Sequence, residues 1–237
     1  VDVELWNKIV ELGWTGIRIP EEYSGLGLGH LELCVIAEEL GRFLAPVPFS
    51  SSVYLFTEAI INYANDDIQK EILPKLVSGE VIGTLAVAED LQAPTAENIT
   101  SQSDNNILNG KKIAVPDAEI ATHAIVVTKT SSGISLQLVD LSAEGVKIEK
   151  QENIDESRGY FSILFENSPS KLIGDETGGW DLYEALMNQA AVLFGYEQIG
   201  GSQAALDMAI NYSKERYAFG RQIGSFQAIK HKLADMY

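Results

Sequence analysis

The apolar residues of this chain change their spacing twice, and that change constrains the fold more than any single motif. Up to about residue 80 they recur at helical spacing, as in Leu5, Ile9 and Leu12. Between about residues 82 and 170 they fall in short β-rich runs separated by turn signals. A long helical period then runs from about residue 180 to about residue 216. This order predicts an α+β fold and not an alternating β-α series.

The same patterns predict the individual elements. The helices expected in the first part are residues 5–12, 31–43, 53–64 and 67–77. The strands expected in the middle part include residues 82–87, 124–128, 135–139 and 161–165. After the long helix, a further helix is expected to begin at Ser225.

Three domains follow from these elements. We expect an N-terminal helical domain over residues 1–80, a middle antiparallel β-barrel or sandwich domain over residues 81–172, and the start of a C-terminal helical bundle over residues 173–237. The last helical pattern stops at Tyr237 without a capping signal, and the sequence begins with Val1 instead of Met. We therefore expect an incomplete chain that lacks C-terminal helices.

The charge balance argues against two classes of partner. The chain has 34 acidic and 17 basic residues, for a net charge of −17. Nucleic acids and anionic membrane surfaces bind net basic faces, so we expect neither as the main partner. No apolar run approaches the ~18 residues of a membrane-spanning helix. The single cysteine, Cys34, excludes an internal disulfide framework and any Cys-based zinc site, and a cytoplasmic location is the default expectation.

Several short motifs have simpler interpretations. The glycines at positions 25, 27 and 29 have the wrong spacing for a dinucleotide fingerprint, and an interhelical turn is favoured. The run Gly200-Gly201-Ser202-Gln203-Ala204 lies inside a predicted helix, which argues against a nucleophile elbow. The three histidines are far apart in sequence, so neither a Ser/His triad nor a metal site is predicted.

The basic residues of the third domain are concentrated in one window. All five lie between Lys214 and Lys232, where Glu215 is the only acid. Such a patch on an acidic protein suits a phosphorylated small molecule. A solvated helix end, favoured by the helix dipole, explains the charges equally well. The charges alone leave both interpretations open.

The order of residues in this window is more specific than its charge. A helix ending at Phe219-Gly220 places Arg216 in its last turn, close to the N-terminus of the next helix near Gln227. An arginine, a helix N-terminus and a glutamine amide together can hold a diphosphate and an adenine edge. The alternative is a helix corner with Phe219 and Phe226 in the core.

The window also contains the motif Arg-x-x-Phe-Gly-x-x-Ile-x-x-Phe-Gln, followed by Leu-Ala-Asp-Met. This motif resembles a third-domain signature of the acyl-CoA dehydrogenases, a family of FAD-dependent flavoproteins. The stretches 11–29 and 37–42 resemble the first domain of that family, and the helix–β–helix plan is similar as well. The resemblance implies that Arg216, Phe219 and Gln227 contact the diphosphate and adenine side of FAD, usually the FAD of a neighbouring subunit.

The resemblance further implies an activity and partners. The activity is α,β-desaturation of an acyl-CoA thioester with hydride transfer to FAD. The partners are the acyl-CoA substrate, a homo- or hetero-oligomer formed with an acyl-CoA dehydrogenase homologue, and an electron-transfer flavoprotein as electron acceptor. Which acyl-CoA is oxidised does not follow from these residues.

Two flavin-facing elements depart from the family pattern. The middle domain of the family usually carries Thr-Glu-Pro-x-x-Gly-Ser-Asp, whereas residues 88–95 here lack the first hydroxyl and the Gly-Ser pair. A second element, usually Trp-Ile-Thr, is Ala114-Val115-Pro116 in this chain. An aromatic wall and a hydrogen-bonding threonine are thereby replaced by small apolar residues and a proline that has no N–H.

The catalytic base is not found among these residues. In most relatives a glutamate from the last helices removes the α proton, and in some it lies early in the long helix. The matching stretch, residues 187–191, contains no acid, and Glu184 and Glu197 lie roughly one to two turns away on either side. The catalytic residue is therefore left unassigned.

Three functional hypotheses remain. The first is an FAD-dependent acyl-CoA dehydrogenase whose base lies outside these residues. The second is a non-catalytic partner subunit of a heteromeric acyl-CoA dehydrogenase, contributing part of the FAD site; the middle-domain departures and the strong C-terminal motif fit this hypothesis. The third is a helical scaffold in which the basic corner has no ligand.

Overall fold

A computed structural model of the chain describes residues 1–155 and 157–237. The chain divides into two compact units. The first unit comprises Val1–His30 and Pro46–Ala191, and the second comprises Leu31–Ala45 and Val192–Tyr237. The predicted division into domains 1–80, 81–172 and 173–237 stays a prediction.

The N-terminal part is helical, as predicted. Its helices are α1 (Val3–Glu11), α2 (His30–Arg42), α3 (Glu58–Tyr63) and α4 (Asp66–Val77). Side-chain caps explain where two of them begin, since the carboxylate of Asp2 accepts from Leu5 N at 2.9 Å and the amide oxygen of Asn65 accepts from Ile68 N at 3.0 Å.

The helix predicted over residues 53–64 differs from the prediction. It begins earlier, as a π-helical stretch over Ser50–Thr57, and continues directly as α3. The hydroxyl of Thr57 donates to the carbonyl oxygen of Ser52, five residues back, at 2.8 Å. This side-chain bond matches the wider i→i+5 spacing of a π-helix, which apolar periodicity alone does not reveal.

The middle part is one sheet, whose strands in chain order are β1 (Gly83–Ala86), β2 (Gln102–Asp104), β3 (Ile107–Pro116), β4 (His123–Lys129), β5 (Ile134–Asp140), β6 (Val146–Gln151), β7 (Tyr160–Pro169) and β8 (Lys171–Ile173). The strand order is β6-β7-β3-β2-β4-β5-β8, with β1 pairing β4. Most pairs are antiparallel, which confirms the prediction, whereas β1 and β2 pair β4 in parallel. Over the described residues the sheet does not close, so of the predicted barrel or sandwich the barrel is wrong.

The core of the sheet lies on the face where the buried side chains of several strands meet. The cluster consists of Ala86, Leu108, Val115, Ala118, Ala121, Ala124, Val126, Val139, Leu141, Phe161, Ile163 and Phe165. The edge strand β6 buries little, with Val146 and Ile148 only partly covered. Its weak apolar signal explains why the sequence patterns did not predict it.

The C-terminal part begins with the long helix α5 (Gly179–Glu215), followed by the short strands β9 (Tyr217–Ala218) and β10 (Arg221–Gln222) and by α6 (Gln227–Met236). Within the second unit, α2 and α5 meet through glycines. Gly41 lies against the carbonyl of Glu197, and Gly200 lies against the carbonyl of Glu38. None of the helices in the part of the chain that the structure describes has the length and apolar composition needed to cross a bilayer.

Candidate functional site

The predicted cofactor-binding residues lie on one corner of the second unit. The corner is the hairpin formed by β9 and β10 together with the start of α6, and it contains Arg216, Phe219 and Gln227. All three residues are exposed. The structure therefore brings the three predicted residues into one continuous segment on the surface of the unit.

The local geometry of Arg216 differs from the prediction. Helix α5 ends at Glu215, four residues before Phe219, so Arg216 follows the helix and does not lie in its last turn. The hairpin forms because Phe219 and Gly220 both adopt positive φ, at 52° and 77°. Two such residues make the tight turn whose twist matches paired strands. Gly220 is typical of this turn, whereas Phe219 is not.

Phe219 is unusual in both backbone and environment. A bulky side chain at positive φ is rare and strained. The ring is 96% exposed and contacts Phe226 only edge-on, at 6.2 Å between ring centroids. The alternative that Phe219 packs into a core is therefore wrong. A strained residue that holds an aromatic ring in solvent is a candidate for contact with a ligand or another chain.

The two arginines of the corner have different environments. The guanidinium of Arg221 lies 4.1 Å from the centre of the Phe226 ring, a cation–π contact. The structure shows no ion pair of Arg216 among residues 1–155 and 157–237. Of these two arginines, Arg216 is therefore the one whose guanidinium remains available to a ligand.

Gln227 begins α6. The expected start at Ser225 is two residues early, because Ile223–Ser225 forms a separate 3-10 turn. Helix α6 has neither a side-chain cap nor an acidic residue in its first turn. The positive end of the helix dipole is therefore uncompensated, a setting that suits an anion.

The middle-domain run at residues 88–95 is anchored by a buried ion pair that sequence reasoning missed. Lys112 is fully buried, and its Nζ donates to Glu89 Oε1 at 2.7 Å and to the carbonyl oxygen of Val87 at 2.9 Å. Glu89 also accepts from the backbone N–H groups of Thr100 and Ser101. The feature that could have revealed this pair was a lysine in a strand whose residues alternate between exposed and buried positions.

These contacts set the protonation of the pair. Burial alone would raise the pKa of Glu89, but the hydrogen bonds from Lys112, Thr100 and Ser101 lower this pKa to about 2. Burial lowers the pKa of Lys112 to about 8, although the bond and the charge of Glu89 oppose that shift. Both groups are therefore charged near neutral pH, and the pair is structural.

Polar backbone groups of the element Ala114-Val115-Pro116 are hydrogen-bonded to other residues of the chain. The N–H of Ala114 donates to the side-chain oxygen of Gln151 at 2.7 Å. The carbonyl oxygen of Pro116 accepts from the hydroxyl of Thr84 at 2.7 Å. Val115 lies in the apolar core. This element therefore offers a flavin ring neither an aromatic wall nor the usual hydroxyl donor.

The stretch in which some relatives carry a base faces a buried acid from another helix. Gln189 lies in this stretch on α5, and its amide nitrogen is 2.7 Å from Oε2 of Glu58 on α3. Glu58 is fully buried and also accepts from Arg18 Nε at 2.8 Å. Glu184 instead accepts from the Trp180 indole at 2.9 Å. Glu58 was missed, although a glutamate inside an apolar run is itself a signal of buried pairing.

A cavity of about 880 Å³ opens elsewhere in the first unit, near Pro46, Val47 and Tyr160. Its wall includes the carboxyl of Asp117, which accepts from Ser51 at 2.6 Å, and the base Arg158. Burial raises the pKa of Asp117. Both acidic and basic side chains line this cavity, so it favours no single class of ligand. Within the described ranges, no cluster of three or more His, Cys, Asp or Glu could hold a metal ion.

Comparisons with known proteins agree with this architecture. The family model "Acyl-CoA dehydrogenase, N-terminal domain" matches residues 1–80, and "Acyl-CoA dehydrogenase, C-terminal domain" matches residues 177–237. The 2-methylacyl-CoA dehydrogenase of Solanum tuberosum is 30% identical over 100% of this chain and 61% of its own length.

Solved structures are similar over nearly the whole chain. A variant of the steroid ACAD Tcur3481-Tcur3483 is 31% identical, with a TM-score of 0.87 over 99% of this chain and 64% of that one. Butyryl-CoA dehydrogenase from Megasphaera elsdenii is 25% identical, with a TM-score of 0.92 over 99% of this chain and 67% of that one. The chain thus spans about 61% of the curated relative's length. With two matching family models and relatives that cover it from end to end, the chain belongs to the acyl-CoA dehydrogenase family.

Proposed function

We propose that this chain is part of a flavoprotein that desaturates an acyl-CoA thioester between its α and β carbons. FAD, when bound, supplies the redox chemistry by accepting the hydride from the β carbon. The contribution that we assign to this chain is to hold the diphosphate and adenine half of FAD at its exposed corner. The base that removes the α proton is not assigned to any residue of this chain.

The proposal rests on the exposed corner, whose hydrogen-bond donors are not all used within the corner itself. Arg216 offers a guanidinium, the start of α6 offers N–H groups without a competing acid, and Gln227 offers an amide. Together these donors suit a diphosphate and the edge of a purine. Phe219 adds an exposed aromatic face beside them. The corner therefore fits the anionic half of FAD.

The flavin-ring side of the chain fits less well. Ala114 already donates its N–H to Gln151, and Pro116 has no N–H to donate. We therefore assign no ring contact to this element and derive no reaction step from it. This imbalance between the corner and the ring side favours a specific second hypothesis.

The second hypothesis is that the chain is the non-catalytic partner subunit of a heteromeric acyl-CoA dehydrogenase. An exposed corner that holds half of FAD serves a flavin whose ring is bound by another chain. The steroid ACAD among the similar structures carries two names, Tcur3481 and Tcur3483, which agrees with a two-chain enzyme of this kind. Under this hypothesis the homologous partner supplies the ring contacts and the base.

Flavin absorbance separates the two hypotheses. The full-length protein is purified alone and then together with its homologous partner, and FAD per chain is measured after denaturation. Stoichiometric FAD in the lone protein supports a self-contained dehydrogenase. Flavin that appears only in the mixed complex supports the partner-subunit hypothesis. A protein without flavin in either preparation contradicts both.

The role of the corner is tested by Arg216→Ala in whichever preparation holds FAD. Loss of a charge-assisted hydrogen bond is expected to weaken FAD retention roughly tenfold or more, as measured by flavin release on dilution. Arg221→Ala is the matched control, because it removes the same charge from the same corner but from an arginine engaged with Phe226. Equal losses in both variants would mean that general charge, and not an Arg216 contact, holds the cofactor.

The remaining partners are also proposals. We propose an acyl-CoA as substrate and an electron-transfer flavoprotein as the acceptor of the electrons. Reduction of the purified complex by candidate acyl-CoA thioesters, followed as bleaching of the flavin, tests the substrate class. Straight, branched and steroid-linked acyl chains are the informative set, because the similar proteins are named for such substrates.

A further inference from the structure

A fully buried carboxylate organises a polar cluster in the first unit. Oε1 of Glu58 accepts from Arg18 Nε at 2.8 Å. Oε2 of Glu58 accepts from the amide nitrogen of Gln189 at 2.7 Å and from that of Asn62 at 3.3 Å. A buried carboxylate needs such donors, and Arg18 supplies the compensating charge. The proposed function uses none of these contacts.

The cluster brings together segments that are distant in sequence. Arg18 also donates to the carbonyl oxygen of Leu28 at 2.9 Å, so it ties the glycine-containing loop before α2 to Glu58. His30 follows that loop as the first residue of α2, and its Nε2 lies 2.7 Å from the amide nitrogen of Gln189. Gln189 on α5 therefore contacts both Glu58 and His30.

Donor and acceptor chemistry fixes the direction of these bonds. An ionised carboxylate only accepts hydrogen bonds, so the Gln189 group that faces Glu58 is the NH₂. Its second hydrogen is then available to Nε2 of His30. Nε2 has to accept this hydrogen, so neutral His30 carries its own proton on Nδ1. The bridge thus selects one tautomer of a histidine.

We propose that Gln189, Glu58 and His30 form a proton-responsive latch. While His30 is neutral, the Gln189 amide bridges Glu58 and His30. Protonated His30 carries hydrogen on both nitrogens, and its Nε2–H then faces the donor of Gln189. Oε2 of Glu58 lies only 3.5 Å from this nitrogen. Protonation therefore replaces the Gln189–His30 bond with a direct His30–Glu58 ion pair and leaves Gln189 bonded to Glu58 alone.

The surroundings allow this exchange. The His30 side chain is 42% exposed, so it exchanges protons with solvent, whereas Glu58 is fully buried. Arg18, which is bound to the other carboxylate oxygen, and Tyr63 are charged or titratable neighbours of Glu58. Burial, and then the charge of Glu58, raise the pKa of Tyr63, so this phenol stays neutral. The latch is independent of the proposed function, since it needs neither FAD nor a substrate.

The latch is tested by NMR of the protein labelled with ¹⁵N in its histidine rings. The sequence has three histidines, so His30→Asn identifies the His30 signals by their loss. We expect neutral wild-type His30 to be the Nδ1–H tautomer. In a second sample labelled with ¹⁵N in its glutamine side chains, we also expect the NH₂ signal of Gln189 to shift together with His30 as the protein is acidified. An Nε2–H tautomer, or a Gln189 signal indifferent to His30, would overturn the proposal.

Two variants separate the latch from a purely structural role. Gln189→Met removes the bridging donor, so neutral His30 is expected to switch to the Nε2–H tautomer and donate directly to Glu58. Asn62→Ala is the matched control, because Asn62 contacts Glu58 but is not bonded to His30. This control is expected to keep the wild-type tautomer. If Gln189→Met keeps that tautomer as well, the amide does not set it and the latch is wrong. If a variant fails to fold, the wild-type measurement still decides.

Discussion

At Glu89, protonation is linked to the stability of the fold. Its pKa of about 2 in the folded chain lies below the value of about 4.3 for an unfolded glutamate. A lowered pKa contributes stability that is complete above the unfolded value and is lost as the pH falls through the folded value. The ion pair with Lys112 therefore supports the fold at neutral pH and fails between about pH 5 and pH 2.

Glu89→Gln is expected to destabilise the protein by about 3–5 kcal/mol at pH 7, because Lys112 is left buried without its charged partner. The free energy of unfolding, measured in urea from pH 7 to pH 3, should also fall less steeply with acidification than in the wild type. Glu166→Gln is the control, since the Lys147–Glu166 pair is exposed and should matter little. Equal effects of the two substitutions would contradict the structural role of the buried pair.

Phe219 is the residue at which stability and function are expected to conflict. Asparagine tolerates positive φ far better than phenylalanine and is the preferred residue before glycine in such a turn. Phe219→Asn is therefore expected to stabilise the protein by roughly 0.5–1 kcal/mol in urea unfolding. FAD retention should fall in the same variant if the ring covers the cofactor. Unchanged flavin content would show that the strain has another cause.

The residues of the corner show how far sequence reasoning reaches. Arg216, Phe219 and Gln227 could be grouped because one continuous motif contains them, and their role as cofactor contacts stays a prediction. Glu58, Gln189 and His30 were not grouped, because their meeting depends on three segments separated by up to 159 positions. Local patterns carry no information about such long-range contacts.

At the level of elements, the glycines of α5 are not equivalent. A Cβ at Gly200 would overlap the carbonyl of Glu38 on α2, whereas a Cβ at Gly195 would meet nothing within 4 Å. Both positions lie in the second unit and in the interior of one helix. The same substitution at the two sites therefore separates helix propensity from packing.

Gly195→Ala is expected to stabilise the protein by up to about 1 kcal/mol, the difference in helix propensity. Gly200→Ala gains the same propensity but forces the helices apart, so a net loss of at least about 1 kcal/mol is expected. Thermal unfolding of both variants beside the wild type measures the two effects. A stabilised Gly200→Ala would show that the helices can separate without cost.

Element type was predictable where a single period was sustained, as in α2, α4 and the long α5. The π-helical start at Ser50 and the hairpin after Glu215 were not predicted, because apolar periodicity reports neither the wider helical turn nor the two positive-φ residues of the hairpin. The sequence patterns left a barrel and a sandwich open, because the spacing of strands along the chain does not show which strands lie at the edges of the sheet. The open ends of this sheet are β6 and β8, neither of which the patterns identified.

For the whole molecule, the excess of acids dominates the response to salt. A net charge of −17 makes the folded chain repel itself, and added salt screens that repulsion. The melting temperature at pH 7 is therefore expected to rise between about 0.01 and 0.1 M NaCl, as the screening length falls from about 30 to 10 Å. Near pH 4.5, the calculated isoelectric point, the same change in salt should have less effect. A melting temperature that falls with salt at pH 7 would mean that surface ion pairs outweigh the repulsion.

The glycine crossing in the second unit also has a mechanical consequence. Gly41 and Gly200 each lie in close contact with a backbone carbonyl of the opposite helix. Sliding α2 by one position would bring Leu40 or Arg42 to the place where only a hydrogen atom fits, and a slide of α5 that brings Ile199 there would do the same. These close approaches resist slippage, so a push along α5 is expected to carry α2 with it.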